Sequence, residues 1–456
     1  MFTLQEILEA ADGKLVSGLP KGRVNGVGID SRIIQKDELF IAIKGDQFDG
    51  HDFVSEVEKL GVRFFVVHKS VQTRNSGSRV ILVKDTTKAL GHLARYHRLR
   101  FDIPVIGITG SAGKTTTKEL IAAVLKTKFN VLANEGTQNN HIGVPLTLLK
   151  LRWEHQAAVI EMGTNQPGDI AWLAAVAAPS MAVLMNIGES HLEKLKSLNG
   201  VFVEKMNLAR AIPKEGHIIL NADDQYLRTA ADKKLNGNPV VFSILRKSGF
   251  QARNVRTDPR QGTLFEVNNK RFLLRTFSDQ MTYNALAAIV CGNLLGVSMS
   301  DIVKAIRRFR FSRGRQEVFK QKGLVIFNDT YNANPVSMRC AVRTLDAYPA
   351  KGRRILVCAD MLELGAQTRK AHVQIGECVS QSKVDVLITI GENAKIISTT
   401  AQTRRSQLIV FHFSEMESLK NYLSVLCQKG DAILVKGSRR MKMESVVQEL
   451  LNASRN

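Results

Sequence analysis

The sequence predicts an α/β protein of several domains, built on mostly parallel sheets. Three observations carry this. Apolar β-forming runs alternate with helical patterns through most of the 456 residues, as parallel sheets flanked by helices require. A glycine-rich turn, Gly110-Ser111-Ala112-Gly113, joins a strand pattern (VIGIT) to a helical one. The chain is too long for one ordinary domain, and 44% hydrophobic with 23% charged residues is enough for sizeable cores.

Residues 1–100 mix short strands and helices, with VNGVGIDSR, LFIAIKG, RFFVVH and RVILVKD as strand candidates. Over 101–314 the order is VIGIT, a helix after Thr115, AAVIEMG, a helix through DIAWLAAVA, MAVLMNIG and HIILNADD. A strand-rich patch (239–277) and helical segments from Asn284 to Arg308 follow. A second alternating unit occupies 315–456: LVIFNDTY, a helix from Pro335, RRILVCADM, a helix near His372, VDVLITIG, QLIVFH, a helix from Glu415, AILVKGS and a last helix. It is Rossmann-like by periodicity but has no G-x-G-x-x-G after its first strand, which argues against dinucleotide binding. Connections are predicted near 98–104 and 312–316.

Composition excludes several classes. No apolar run reaches membrane-spanning length, and the N-terminus carries acids where a secretory signal would be basic. Five scattered cysteines without a C-x-x-C pair read as buried thiols of a cytoplasmic protein. The net charge of +22 is spread over all three sections, with no basic tail or aromatic-interleaved stripe. That distribution argues against nucleic acid and suits either anionic nucleotide substrates or a generally basic proteome.

VIGITGSAGKTTTK has the parts of a phosphate cradle: Gly110, Ser111, Ala112, Gly113, Lys114, Thr115 and Thr116. Glycines let backbone N–H groups approach anionic oxygens, the helix start adds its dipole, Lys114 adds charge, and Thr115 can hold Mg²⁺. The loop is a short G-x-x-G-K-T form, since the first glycine of the longer pattern falls on Ile108. ATP is the predicted ligand. Polar residues at other strand ends are candidates because ligands sit at the carboxyl ends of parallel strands. These are Glu161, His191, Asn139-Asn140 and the amide-rich segment DTYNANP (329–335).

TGSAGKTTTKE, NNHIGVPLTLL, EMGTNQPGDIAWL, SHLEKLKSLNGV, YNANPVSM, DMLELG and LVKGSRRMKME occur in that order across almost the whole chain. Together they resemble the Mur ligases of peptidoglycan synthesis, in particular the branch that adds D-alanyl-D-alanine to UDP-N-acetylmuramoyl-tripeptide. IDSRIIQKDELFIAIKGDQFDGHDF resembles that family's UDP-binding domain. The resemblance implies a small α/β UDP-binding domain (1–100), a central P-loop parallel-sheet ATPase domain (101–314) and a C-terminal Rossmann-like ligase domain (315–456). It implies a cytoplasmic monomer that activates the tripeptide carboxylate as an acyl phosphate, with two Mg²⁺ ions. Catalytic roles then fall to Lys114, Glu161, His191 and Lys205. Thr115 and Glu161 would serve one metal; His191 and a carbamylated Lys205 would serve the other. Asn284, Arg315, Asp329, Tyr331 and Asn332 would contact ATP. Ser31, Arg32, Asp49, Gly50 and His51 would hold the uridine nucleotide, and Thr137, Asn139 and Asn140 the muramoyl-peptide. Asn332 and Asn334 would face D-alanyl-D-alanine.

Two departures stand out. Gln280-Met281-Thr282-Tyr283-Asn284 replaces the H-N-x-x-N of many relatives, and Lys205-Met206-Asn207 replaces Lys-x-Glu or Lys-x-Gln. Two other readings share parts of the pattern. A folylpolyglutamate synthase would use the same ATP machinery without the UDP domain, and a nucleic-acid-dependent P-loop ATPase would account for the charge.

Overall fold

The computed structural model describes residues 1–232, 235–258 and 260–453. They form two compact units. One comprises 1–107, 129–163 and 168–181, the other 108–128, 164–167 and 182–456.

The first unit opens with a five-stranded sheet in the order Lys14–Ser17, Arg79–Leu82, Phe64–Val67, Glu38–Ile41, Gly26–Gly28. All neighbours are parallel except the first pair. Phe40 and Phe65 meet edge to face in its core. The helix Thr86–Arg98 starts on Asp85, whose side chain accepts the N–H groups of Thr87 and Lys88. It packs on the helices Leu4–Ala11, Gly143–Leu148 and Asp169–Ala177. The connection predicted at 98–104 is tied down. Arg98 is buried, and its guanidinium donates to the carbonyls of Phe101 (2.6 Å), Ala177 (3.1 Å) and Ile103 (3.3 Å). Beyond it, Ala158 N–H bonds Pro104 O (3.0 Å) and Ser180 N–H bonds Val105 O (3.0 Å). The start of Val105–Thr109 is thereby flanked by Ala157–Glu161, which pairs in parallel with Val131–Ala133.

In the second unit Met185 N–H bonds Thr109 O (3.1 Å). A sheet runs from Met181–Leu184 through His217–Asn221, Asn238–Ser243 and Phe250–Gln251. The helix Lys114–Leu125 packs on Met281–Leu294. The strand-rich patch is an antiparallel three-stranded sheet of Arg253–Asp258, Gly262–Val267 and Lys270–Leu274. The last section is a six-stranded sheet ordered Glu317–Gln321, Leu324–Asp329, Ala432–Lys436, Arg354–Ala359, Val386–Ile390, Ile409–Phe413. Only its first pair is antiparallel. Residues of Pro335–Ala347, Thr368–Ser380 and Ala394–Arg404 cover one face, and those of Met416–Leu426 and Glu444–Ala453 the other. Coverage on both faces explains why its inner strands read as unbroken apolar runs. The five cysteines are free thiols, buried or half-buried, and among the described residues no helix is long and apolar enough to cross a membrane.

Tight packing at Gly91, within Thr86–Arg98, gives a direct test of this arrangement. A Cβ there would overlap the Trp172 ring. Gly91→Ala should destabilise the protein by about 1–3 kcal/mol in chemical denaturation, outweighing the ~1 kcal/mol helix-propensity gain of alanine. Trp172→Phe in the same chain should recover part of the loss. A net gain from Gly91→Ala would contradict this packing.

Candidate active site

The phosphate loop is held from behind, one carbonyl at a time. Lys114 Nζ donates to Gly110 O (2.9 Å), Asn334 Nδ2 to Ser111 O (3.1 Å), Asn186 Nδ2 to Ala112 O (3.1 Å) and Asn284 Nδ2 to Gly113 O (3.4 Å). Asn186 also accepts the N–H groups of Ser111 (3.1 Å, main chain) and Ala112 (2.8 Å, side chain). Ser111 Oγ donates to Gly188 O (2.9 Å) and accepts from Gly188 N–H (2.9 Å) and Ser190 Oγ (3.0 Å). Gly113 has φ +83°, the left-handed region glycine tolerates, and Asn284 leaves little room for a Cβ there. The helix opens at Lys114, where first-turn N–H groups lack intrahelical partners and favour an anion. Thr115 and Thr116 are buried in that turn.

Glu161, the last residue of its strand, is 1% exposed. Its Oε1 accepts from Asn139 Nδ2 (2.7 Å), and Asn134 brackets its backbone at both N–H and C=O. Its Oε2 is buried with no hydrogen-bond partner. A buried carboxylate oxygen left open is costly unless a cation or proton donor completes it. Asn139 N–H bonds Thr137 O (2.7 Å), and Asn140 Oδ1 caps the N–H groups of Ile142 and Gly143. Thr137 and Asn140 are exposed.

Lys205 lies on the helix Leu198–Arg210 and is 1% exposed. Burial, and then the nearby charge of Lys114, pushes its amine well below the usual lysine range, while Glu204 opposes the shift. The shift moves the balance toward the neutral amine relative to an exposed lysine. Asn207, one of the two departures, still reaches Glu204 (3.3 Å), which contacts Thr164 Oγ1 (3.4 Å). At the other departure the Met281 sulfur sits 3.7 Å from the Asn284 amide. His191 precedes a short helix at φ +52°, and its Nδ1 pairs with Glu363 Oε2 (3.0 Å), itself at φ +64°. That hydrogen bond holds the Glu363 carboxyl below its ordinary range. Among the described residues no three His, Cys, Asp or Glu side chains form a metal cage.

The DTYNANP segment follows the strand Leu324–Asp329, as predicted. Lys436 is buried at the end of the neighbouring strand, with Nζ 2.6 Å from Asp329 Oδ2 and 3.0 Å from Asn332 O. The Arg315 guanidinium lies 3.7 Å from the Tyr331 ring centroid, a cation–π contact. Exposed Asn332 bonds the following N–H through Oδ1. Asn334 caps the helix Pro335–Ala347 with a capping box to Ser337, so both ends of its amide are engaged.

In the opening sheet, exposed Arg32 makes a bidentate pair with Asp30, which is held at about 2, and Ser31 stands between them half-exposed. Asp49 caps the turn Gly50–Phe53 and pairs with Lys69 (2.8 Å), which keeps its carboxyl far below the usual range. His51 is buried between Asp49 Oδ1 (2.6 Å at Nδ1) and His68 N–H (3.0 Å at Nε2). Accepting that N–H assigns the ring proton to Nδ1, and burial lowers its pKa. This histidine positions the turn.

Asn186, Lys436, Glu204 and Glu363 are absent from the sequence-based candidates. Lys436 ends the strand Ala432–Lys436, the signal that marked Glu161, and Asn186 lies two residues beyond the strand Met181–Leu184. Glu363 lies in DMLELG, and Glu204 adjoins Lys205.

Comparison with known proteins covers the same ground. Family models match in tandem: "Mur ligase family, catalytic domain" over 23–98, "Mur ligase middle domain" over 108–292 and "Mur ligase, glutamate ligase domain" over 314–439. The UDP-N-acetylmuramoyl-tripeptide–D-alanyl-D-alanine ligase of Bacillus subtilis is 34% identical over 455 residues, 99% of this chain and 98% of the relative. The Escherichia coli enzyme of that name is 33% identical over 463 residues, 98% of each chain. A crystal structure of MurF from Acinetobacter baumannii superposes with a TM-score of 0.89 at 28% identity, covering 99% of both chains. MurF from Thermotoga maritima in complex with ADP gives 0.86 at 26% identity, covering 95% of this chain and 98% of that one.

Proposed function

This chain belongs to the Mur ligase family, and we propose that it joins D-alanyl-D-alanine to UDP-N-acetylmuramoyl-tripeptide at the expense of ATP. The observation that carries this is the bond from Asn334 Nδ2 to Ser111 O. It links the YNANP segment, which marks the D-alanyl-D-alanine branch, to the cradle for the phosphates. Residues 1–100, 101–314 and 315–456 act as the UDP-sugar, ATPase and ligase domains.

The loop amides and Lys114 bind the β- and γ-phosphates, with Ser111, Thr115 and Thr116 around them. Asn284, Arg315, Asp329, Tyr331 and Asn332 orient the rest of the nucleotide. The tripeptide carboxylate attacks the γ-phosphorus to give an acyl phosphate and ADP. The dipeptide amine adds to the acyl carbon, loses a proton, and phosphate leaves as the amide forms. Positioning and charge stabilisation supply most of the rate. The open Oε2 of buried Glu161, and the lowered pKa of buried Lys205, fit a Mg²⁺-dependent site. Thr115 and Glu161 would hold one ion; His191, through the nitrogen not paired with Glu363, and carbamylated Lys205 the second. Bound Mg²⁺ supplies charge neutralisation that lets two anions meet. Lys205 reaches its ligand form when the neutral amine adds to CO₂, forming an N–C bond and releasing a proton. Ser31, Arg32, Asp49, Gly50 and His51 shape the uridine site; Thr137, Asn139 and Asn140 line the muramoyl-peptide path; Asn332 and Asn334 face the dipeptide. The enzyme works as a cytoplasmic monomer, in keeping with its free thiols.

Phosphate release should require ATP, UDP-N-acetylmuramoyl-tripeptide and D-alanyl-D-alanine together, each omitted in turn. Release indifferent to D-alanyl-D-alanine would overturn the assignment.

Lys205→Ala should lower turnover by at least ~100-fold, with partial rescue by added formate or acetate. Carbamate needs the neutral amine, so wild-type activity should rise with dissolved CO₂ and fall as pH falls. A fully active alanine variant without added acid would remove Lys205 from the mechanism.

A further inference from the structure

The basic residues behind the +22 charge are scattered in sequence, yet the fold collects four of them around one cavity. We propose that this cavity binds a compact organic polyanion carrying two or more phosphoryl groups, at a site that shares no residue with the phosphate loop. The cavity measures about 530 Å³ and is lined by Arg260, Arg275, Arg307 and Lys320, with no carboxylate among its walls. Such a volume suits a nucleotide-sized molecule and is far larger than one phosphate ion.

The four cations come from separate elements. Arg260 stands in the turn between Arg253–Asp258 and Gly262–Val267, Arg275 just after Lys270–Leu274, Arg307 in the last turn of Met299–Arg308, and Lys320 in Glu317–Gln321. Asp258, the nearest acid in sequence to Arg260, is committed to the turn. Its Oδ1 accepts the backbone N–H groups of Arg260 (2.8 Å) and Gln261 (2.9 Å), which depresses its pKa. On the same small sheet Arg271 does pair with an acid, Glu266, at 3.1 Å. Among the described residues the guanidinium groups of Arg260, Arg275 and Arg307 make no such pair.

Convergent cations repel one another, and a concave wall strengthens their common field. Guanidinium forks match phosphoryl oxygens two at a time. Lys320 Nζ lies 5.2 Å over the ring of Phe277, which is 6% exposed, so one cation is fixed at an apolar floor. Phosphoryl groups would meet the cations while an apolar or aromatic body covers the floor. Four positive charges call for more than one dianionic group.

Equilibrium binding of ATP and of inorganic tripolyphosphate to the full chain tests this in wild type, Arg275→Gln/Arg307→Gln and Lys114→Ala. Wild type should bind two ATP molecules per chain. The double variant should keep one and weaken the other by at least about tenfold, with an unchanged thermal midpoint, since these side chains are exposed. Lys114→Ala should retain the second site. Tripolyphosphate displacing that second ATP would show that phosphoryl groups suffice; a second ATP that tripolyphosphate fails to displace would show that the nucleoside contributes; both outcomes support the site. A single ATP site in wild type with no added tripolyphosphate site, or a second site unaltered by the double variant, would overturn it. So would arginine-dependent binding of single-stranded RNA with neither small anion bound. If the double variant fails to fold, Arg260→Gln alone gives the same readings.

Discussion

A phosphate loop works only if its carbonyl oxygens face away from the anion its N–H groups receive. Left alone, a short glycine-rich turn samples conformations that point either way. Here four successive carbonyls, from Gly110 to Gly113, each accept a side-chain hydrogen bond. Three of the four donors belong to distant parts of the chain: Asn186 lies just past the strand Met181–Leu184, Asn284 on the helix Met281–Leu294, and Asn334 caps the helix Pro335–Ala347. The cradle is therefore a tertiary structure rather than a local motif. Its shape depends on the last section being in place, because Asn334 belongs to that section. This is preorganisation: the cost of orienting dipoles is met during folding and not during reaction.

Charge placement follows the same logic. Lys205 sits where burial and the neighbouring Lys114 disfavour its protonated form, and Glu161 keeps one carboxylate oxygen open in a buried position. Neither arrangement would be selected for stability, since Glu161 leaves a buried oxygen without a hydrogen-bond partner and burial penalises the charged form of Lys205. Lys436 is the contrasting case. Its buried ammonium meets Asp329 and the Asn332 carbonyl together, so it fixes the geometry of the DTYNANP segment. The first two depart from good packing where chemistry is proposed, and the third obeys it where the chain must be held.

Much of this was legible in the sequence, for reasons that differ by residue. The strand, turn and helix around Gly110 obey local rules, and Glu161 was visible because an acid closed an apolar run. The alternating units that form mostly parallel sheets, and the presence of a strand-rich patch between them, follow from periodicity and length. What stayed hidden depends on partners far away in the chain. Lys436 carries the same strand-end signal as Glu161 and Asn186 lies two residues past a strand, but lysines and amides are common there, and only the fold shows what they hold. Arg98 lay in an apparent linker, yet its guanidinium ties that segment's own Phe101 and Ile103 carbonyls to those of Ala177 and Ala178. His51 looked like a ligand-facing histidine in a turn, whereas its ring is buried with both nitrogens engaged. Asn334 was read for the dipeptide, and its amide also caps a helix and supports the loop.

The central claim is that this cradle brings the γ-phosphate to a carboxylate rather than to water. The most direct test labels the terminal carboxylate of UDP-N-acetylmuramoyl-tripeptide with oxygen-18 and follows the phosphate released in the complete reaction by mass spectrometry. An acyl phosphate must pass one carboxylate oxygen to phosphate when the amine displaces it, so each phosphate should carry a single heavy oxygen, with the other retained in the new amide. Phosphate that carries none would mean that ATP is hydrolysed by water, and would contradict the account.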